Sequence, residues 1–390
     1  MESRLNPWLL ILVGAALIAM TSCGSSKSSP PPPKPCQVSA TPPSGLEVLY
    51  GVAYSALLNY FEVASIDPTT GALNVLPGPD TFVPFSTDGL VAVHAQFLYI
   101  SGPVGTGPGG AAAIFGFALD QTTGAPTSLP GSPFPLPQGD FPRGMATLPN
   151  SYLLYVADAN RIDVFAVDGK TGVPTPIPGS PFTSGTNTQL AADPSGKFLY
   201  ASDDDPPGGV LAFTVSPNGA LTSVPGSPFT VPGQTVANSL PYTIVDTGKF
   251  VYTALTASNS IAAFSIDSKT GALAPVPGSP FAAGTQPGVL ALANNFLYAA
   301  NEKDGSISGY SIDTDTGALT QVPGSPFTLN GVTLTADLSG RYLYVSELAG
   351  DQGYNIDANT GALCVGAGML QGIDGPLWLT VAEFPSSGGQ

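Results

Sequence analysis

Hydrophobic positions in this chain follow a long period. An apolar pair ending in tyrosine recurs seven times: Val48-Leu49-Tyr50, Phe97-Leu98-Tyr99, Leu153-Leu154-Tyr155, Phe198-Leu199-Tyr200, Phe250-Val251-Tyr252, Phe296-Leu297-Tyr298 and Tyr342-Leu343-Tyr344. Before most of these lies a short apolar run closed by a turn, as in residues 190–197 and 334–341. After them comes an alternating stretch, then a block reading roughly Ile-Asp-x-x-Thr-Gly-Ala-Leu-x-x-Val-Pro-Gly-Ser-Pro-Phe. The shared glycine of that block falls at Gly71, Gly124, Gly172, Gly219, Gly271, Gly317 and Gly361, at intervals of 44 to 53 residues. Each period reads as four short strands, such as residues 190–192, 198–202, 210–215 and 221–224, with no helical periodicity. The pattern predicts an all-β chain, and a repeat of this length marks propeller blades. Seven copies give a seven-bladed β-propeller of four-stranded blades.

Turn chemistry supports the strand reading. Asp67, Asp120, Asp168, Asp267, Asp313 and Asp357 each open an Asp-x-x-Thr-Gly turn, with Ser216 in the remaining copy. Aspartate accepts backbone amides two residues on, and glycine adopts the left-handed backbone that closes such hairpins. These carboxylates are therefore assigned to turns and not to a site. The prolines of Pro-Gly-Ser-Pro-Phe cannot donate to a ladder and should protect the outer edge of each blade. The first period begins at its second strand (46–52), and the missing inner strand appears at the other end, in residues 376–384. The C-terminal strand is predicted to complete the first blade and so close the ring.

Outside the repeats, the chain divides into residues 1–22, 23–45 and 385–390. Trp8 to Met20 is an apolar run of 13, short for a membrane span and suited to a signal peptide. Met20-Thr21-Ser22-Cys23 resembles the bacterial lipobox, which makes Cys23 the candidate lipidated residue and implies attachment to the cell envelope, with Gly24 favouring the outer membrane. A secreted protein with an incidental Cys23 is the alternative. Residues 23–45 form a Ser- and Pro-rich tether, and 385–390 a tail. Cys36 and Cys364 lie in regions that ring closure brings together, so they are a disulfide candidate in an exported protein; two idle thiols are the alternative. The net charge of −16, with 11 Lys and Arg, argues against nucleic acid as a partner. A monomer is expected.

These blades resemble the seven-bladed propellers of the lactonase-like and YVTN-repeat families. The motifs that carry the likeness are Tyr155-Val156-Ala157-Asp158, Tyr298-Ala299-Ala300-Asn301 and Tyr344-Val345-Ser346, each placed before an Ile-Asp or Thr-Gly stretch. The resemblance spans residues 46–384 and implies a ligand funnel where loops enter the inner strands. Asp88, Arg143, Arg161, Gln189 and Tyr242 fall there. Among them Arg143, Asp88 and Tyr242 are the candidate catalytic residues of a lactonase-like hydrolase. Such a reaction needs a base for water and donors for the oxyanion. His94, the single histidine, falls at a turn on the opposite face. Asp203, Asp204 and Asp205 form a contiguous acidic loop that does not match a recognised calcium loop, so no metal and no cofactor are expected. With one histidine and few cations, the sequence favours a non-catalytic propeller that binds a protein, glycan or small molecule at the envelope. The lactonase-like hydrolase is the alternative.

Overall fold

The computed structural model describes residues 36–38, 45–54, 59–76, 89–93, 96–104, 111–136, 142–149, 151–158, 160–185, 187–203, 208–233, 241–329, 331–347, 350–369 and 376–384. They form seven antiparallel sheets arranged as blades. Blade 3 runs from its inner strand Gly144–Thr147 through Leu153–Asp158 and Arg161–Val167 to Pro174–Pro176. Blade 6 repeats this with Pro287–Ala293, Phe296–Asn301, Ser306–Ile312 and Leu319–Gln321. Blade 7 comprises Gly331–Ala336, Tyr342–Glu347, Gly350–Ile356 and Leu363–Met369. Blade 1 is composite: Pro376–Phe384 is its inner strand, pairing with Leu46–Tyr54, so the two ends of the chain close the ring as predicted. A 3-10 turn at Thr256–Ser258 is the single helical element among the described residues, and no described helix is long and apolar enough to cross a membrane.

The tyrosine and glycine motifs are two halves of one contact. Tyr50 donates to the Gly124 carbonyl of the next blade at 2.6 Å, and the same bond links Tyr99 to Gly172, Tyr155 to Gly219, Tyr200 to Gly271, Tyr252 to Gly317 and Tyr298 to Gly361. Tyr344 of blade 7 reaches Gly71 of blade 1 and completes the circuit. All seven tyrosines are fully buried. Each glycine is needed twice over. At Gly317, for example, φ is +77°, and an added Cβ would collide with the Phe250 ring of the preceding blade. Around these latches lie seven apolar layers, one between each pair of neighbouring blades. A fully buried large apolar side chain contributes about 1.5–3 kcal/mol, so the core is built seam by seam.

The outer edges are more elaborate than four strands. In blades 2 to 6 a two-residue strand follows the outer strand and pairs with the upper part of the third; in blade 3 it is Phe182–Thr183, paired with Arg161 and Ile162. The Ser of Pro-Gly-Ser-Pro-Phe bridges the gap. Ser132, Ser180, Ser227, Ser279 and Ser325 accept the backbone N–H of Gly116, Val164, Ala212, Ala263 and Gly309 at 2.9–3.0 Å. The Ser–Pro bonds that follow are cis. The motif thus satisfies the one amide left between two short strands, and its Phe packs on the adjacent interblade layer.

The Asp-x-x-Thr-Gly residues make Asx turns. Asp67 Oδ1 accepts from the Thr69 and Thr70 amides and the Thr70 hydroxyl, and backbone N–H donation from Thr70 holds this carboxyl below its usual range. Where Ser216 stands instead, its hydroxyl bonds Asn218 and the Ala220 carbonyl. Asp357 additionally accepts the Gln37 amide at 2.8 Å, and Cys36 and Cys364 are disulfide-bonded with Cα atoms 6.1 Å apart. The segment before blade 1 is therefore fastened to blade 7.

Candidate functional site

The inner strands surround a central channel of about 350 Å³. Its lining includes Gln189, Leu190, Thr243, Leu290, Leu334 and Leu379, and none of the described residues bordering it is charged. Charge gathers instead at the upper end of blade 3, where second strands turn into third strands. The short connection after Asp158 places Arg161 directly opposite it in the ladder. Arg161 Nε lies 3.5 Å from Asp158 Oδ2 and 3.5 Å from Asp163 Oδ2. The two carboxylates are buried, at 7% and 5% side-chain exposure, while the arginine side chain keeps 26%. Burial pushes the Asp163 carboxyl up; the Arg161 guanidinium pulls it back down and Asp158 adds a smaller upward push. The arrangement is a partly exposed arginine whose Nε is buried between two carboxylates.

Arg143 joins this group through the backbone. It precedes the inner strand of blade 3, and its N–H donates to the Ala157 carbonyl at 2.9 Å, one residue from Asp158. Its own carbonyl accepts Gln189 Nε2 from blade 4 at 2.6 Å. Gln189 is fixed in turn by its N–H, which donates to Ser202 Oγ at 2.9 Å. Arg143, Gln189, Arg161, Asp158 and Asp163 thus form one connected region at the blade 3–blade 4 mouth.

The remaining candidates are more scattered. Asp88 and His94 lie outside the described residues, as do Asp204, Asp205 and Cys23. Tyr242 stands in the inner strand of blade 5, Pro241–Asp246, and its side chain is outside the described part. Asp203 is a buried strand residue opposite Asn187, with Gly185 of the incoming loop close by. Asp304 accepts the Thr285 amide at 2.7 Å and so ties together its own loops. Among the described residues no group of three or more His, Cys, Asp or Glu side chains could hold a metal.

Residues matching Asp158, Arg161 and Asp163 by register are Asn301, Ser306 and Ser308 in blade 6. There Asn301 Nδ2 donates to both serine hydroxyls at 2.9 Å, a neutral version of the same cluster. Counting three residues past each repeat tyrosine would have exposed this substitution in the sequence. The link from Gln189 to Arg143 has no sequence signal, because it uses a backbone carbonyl.

Residues 242–334 match the family profile of the lactonase seven-bladed β-propellers. No curated protein matches the chain's sequence. Among solved structures, the chain is similar to a Bacteroides uniformis protein described as a candidate 6-phosphogluconolactonase, at 20% identity and a TM-score of 0.68, covering 87% of this chain and 100% of the other. A Bacteroides fragilis protein of the same description gives 22% and 0.67, covering 87% and 98%. The periplasmic gluconolactonase of Pseudomonas aeruginosa gives 17% and 0.67, covering 87% and 99%. At these identities the likeness shows the fold.

Proposed function

We propose that this protein is a lactonase-type hydrolase that opens an uncharged lactone ring at the mouth of blades 3 and 4. The observation that carries the reading is Arg161, whose side chain keeps 26% exposure between two buried carboxylates at 3.5 Å each. The family match over residues 242–334 and the gluconolactonase described among the similar structures support a hydrolase over the non-catalytic binding propeller that composition alone favoured.

In this mechanism water adds to the lactone carbonyl carbon and gives its proton to Asp163, the carboxylate whose affinity for a proton is raised by burial. The Arg161 guanidinium donates to the oxyanion that forms. Collapse breaks the ring C–O bond, and the protonated Asp163 returns the proton to the departing alkoxide, giving a hydroxy acid. Asp158 holds Arg161 in place, and the Gln189 bond fixes the backbone of Arg143 beside it. The net charge of −16 disfavours a phosphorylated lactone and leaves a neutral one as the preferred substrate.

A pH-stat assay of glucono-1,5-lactone and 6-phosphogluconolactone tests this. Turnover of the neutral lactone should exceed that of the phosphorylated one, and Asp163→Asn should lower it about 10²–10⁴-fold. Absence of turnover by the folded wild type on any lactone of a panel would return the protein to the binding class. We also propose attachment to the cell envelope through acylation of Cys23, supported by the lipobox-like Met20-Thr21-Ser22-Cys23. In that case Cys23→Ser should move it from the membrane fraction to the soluble one; retention of the variant in the membrane would contradict the anchor.

A further inference from the structure

The residue three before the repeat tyrosine exposes a gap between blades 6 and 7. In blades 4, 5, 6 and 7 that residue is Lys197, Lys249, Asn295 and Arg341. The four are structurally equivalent. Each backbone carbonyl accepts the N–H that ends the third strand of its own blade, from Val215, Ile266, Ile312 and Ile356, at 2.8 Å. Three of them are cations, and the fourth is a short neutral amide. In blades 5 and 7 the cation reaches the following blade. Lys249 Nζ donates to the Thr314 carbonyl at 3.4 Å, and an Arg341 terminal nitrogen donates to the Pro68 carbonyl at 2.6 Å. Both acceptors directly follow an Asx-turn aspartate, Asp313 or Asp67. Arg341 also lies over an aromatic face, its guanidinium carbon 5.1 Å from the Tyr342 ring centre.

Between blades 6 and 7 the matching groups are present without the cation. The acceptor residue is Ala358, directly after Asp357, and the aromatic ring is Phe296. Asn295 ends well short of the reach of a lysine or arginine. Where a long side chain would lie there is a cavity of about 440 Å³, bordered by Asn294, Asn295, Phe296, Gly340, Ala358 and Asn359. None of the described residues bordering it is charged. Asn294 staples one rim by donating to the Ser339 and Gly340 carbonyls of blade 7. Asn295, Ala358 and Asn359 are exposed, so the cavity opens to solvent. Arg341 follows Gly340, but its side chain turns away to Pro68 of blade 1. The Asp357 carboxyl accepts the Gln37 amide, which holds it below its usual range and keeps a negative charge one residue from the acceptor.

We propose that this cavity binds a guanidinium group brought by a ligand, either a small guanidino compound or an arginine side chain of a partner polypeptide. The guest donates to the Ala358 carbonyl and lies over Phe296, as Arg341 donates to Pro68 and lies over Tyr342. A guanidinium suits this place because it is planar, permanently charged and more weakly hydrated than an ammonium. The site is formed by the turns at the latch end of the blades, opposite the blade 3–blade 4 mouth, and does not depend on the reaction proposed there.

Ligand-observed NMR titration of the purified protein at constant ionic strength tests the site, with agmatine and a blocked glycine–arginine–glycine tripeptide as probes. At least one should bind saturably, with a dissociation constant of about 1 mM. Butylurea, an uncharged analogue, should bind about tenfold more weakly. Tighter binding of agmatine assigns the site to a small compound, and tighter binding of the tripeptide to a partner chain. Asn295→Arg, which supplies the cation from within as blade 7 does, should abolish binding and leave the melting midpoint unchanged or higher. If that variant does not fold, Asn295→Lys, the residue type of blades 4 and 5, should weaken binding by about tenfold or more. No saturable binding of either probe, or equal binding by wild type and the filled variant, would overturn the proposal.

Discussion

The upper ends of blades 3 and 6 use the same three positions for opposite purposes. In blade 6, Asn301 Nδ2 donates to Ser306 and Ser308, and all three side chains are buried and uncharged. In blade 3, Asp158, Arg161 and Asp163 occupy those positions, and the arginine remains partly open. Charged groups cost more to bury than hydrogen-bonded neutral ones, so blade 3 forgoes a cheaper solution that blade 6 demonstrates. The lower ends of the same two blades do not differ in this way. Tyr155 binds Gly219 and Tyr298 binds Gly361 through the same kind of latch. The propeller is thus uniform where blades are held together and individual where loops open to solvent, and chemistry is to be sought in the individual part.

The uniform half can be broken most severely at a latch glycine. Gly317→Ala should cost about 3 kcal/mol or more, because the left-handed backbone and the Phe250 ring both exclude a Cβ. Gly172→Ala, against Phe97 and Leu129, should cost a similar amount by denaturant unfolding. A large difference between the two would show that the latches are not equivalent. Removing only the hydroxyl should be milder. Tyr298→Phe leaves the buried Gly361 carbonyl without its donor and should cost about 1–2 kcal/mol, as should Tyr252→Phe at Gly317.

A smaller, pH-dependent effect probes the closing seam. Glu47 is 1% exposed, sits opposite Glu383 in the closing ladder, and accepts the Leu338 amide at 3.0 Å. Burial, then Asp337 and Glu383, raise its carboxyl to about 7 against the Leu338 amide and Arg341, which lower it. The folded state therefore binds a proton more tightly than the unfolded chain. The benefit is complete at acidic pH and is lost as pH rises toward and through 7. Glu47→Gln should raise the melting midpoint at pH 8 and change it little at pH 4.5. Asp246 is also raised to about 7 by burial, so the wild type keeps a pH slope of its own and the difference between the two proteins isolates Glu47. An equal shift at both pH values would contradict this assignment.

Much of the fold was legible because the repeat is written in residue types with narrow backbone requirements. The glycine after Thr and the tyrosine after an apolar pair set blade number and phase, and the split first period predicted the closure by Pro376–Phe384. The two-residue fifth strands were not legible: Phe182–Thr183 pairs with the third strand through a Ser180-bridged gap that depends on backbone geometry. The site was partly legible. Arg143, Arg161 and Gln189 were singled out from their place near loop ends; Asn301 could be matched to Asp158 by counting from the repeat tyrosine, whereas Ser306 and Ser308 were matched to Arg161 and Asp163 by the ladder registers.

The most direct measurement transplants one blade end onto the other. The triple variant Asp158→Asn, Arg161→Ser, Asp163→Ser gives blade 3 the residues that blade 6 already accommodates at these positions. It should fold with an unchanged or higher melting midpoint. In a pH-stat assay with glucono-1,5-lactone its rate should fall about 10²–10³-fold below wild type. A folded graft that hydrolyses the lactone at the wild-type rate would contradict the assignment of catalysis to blade 3.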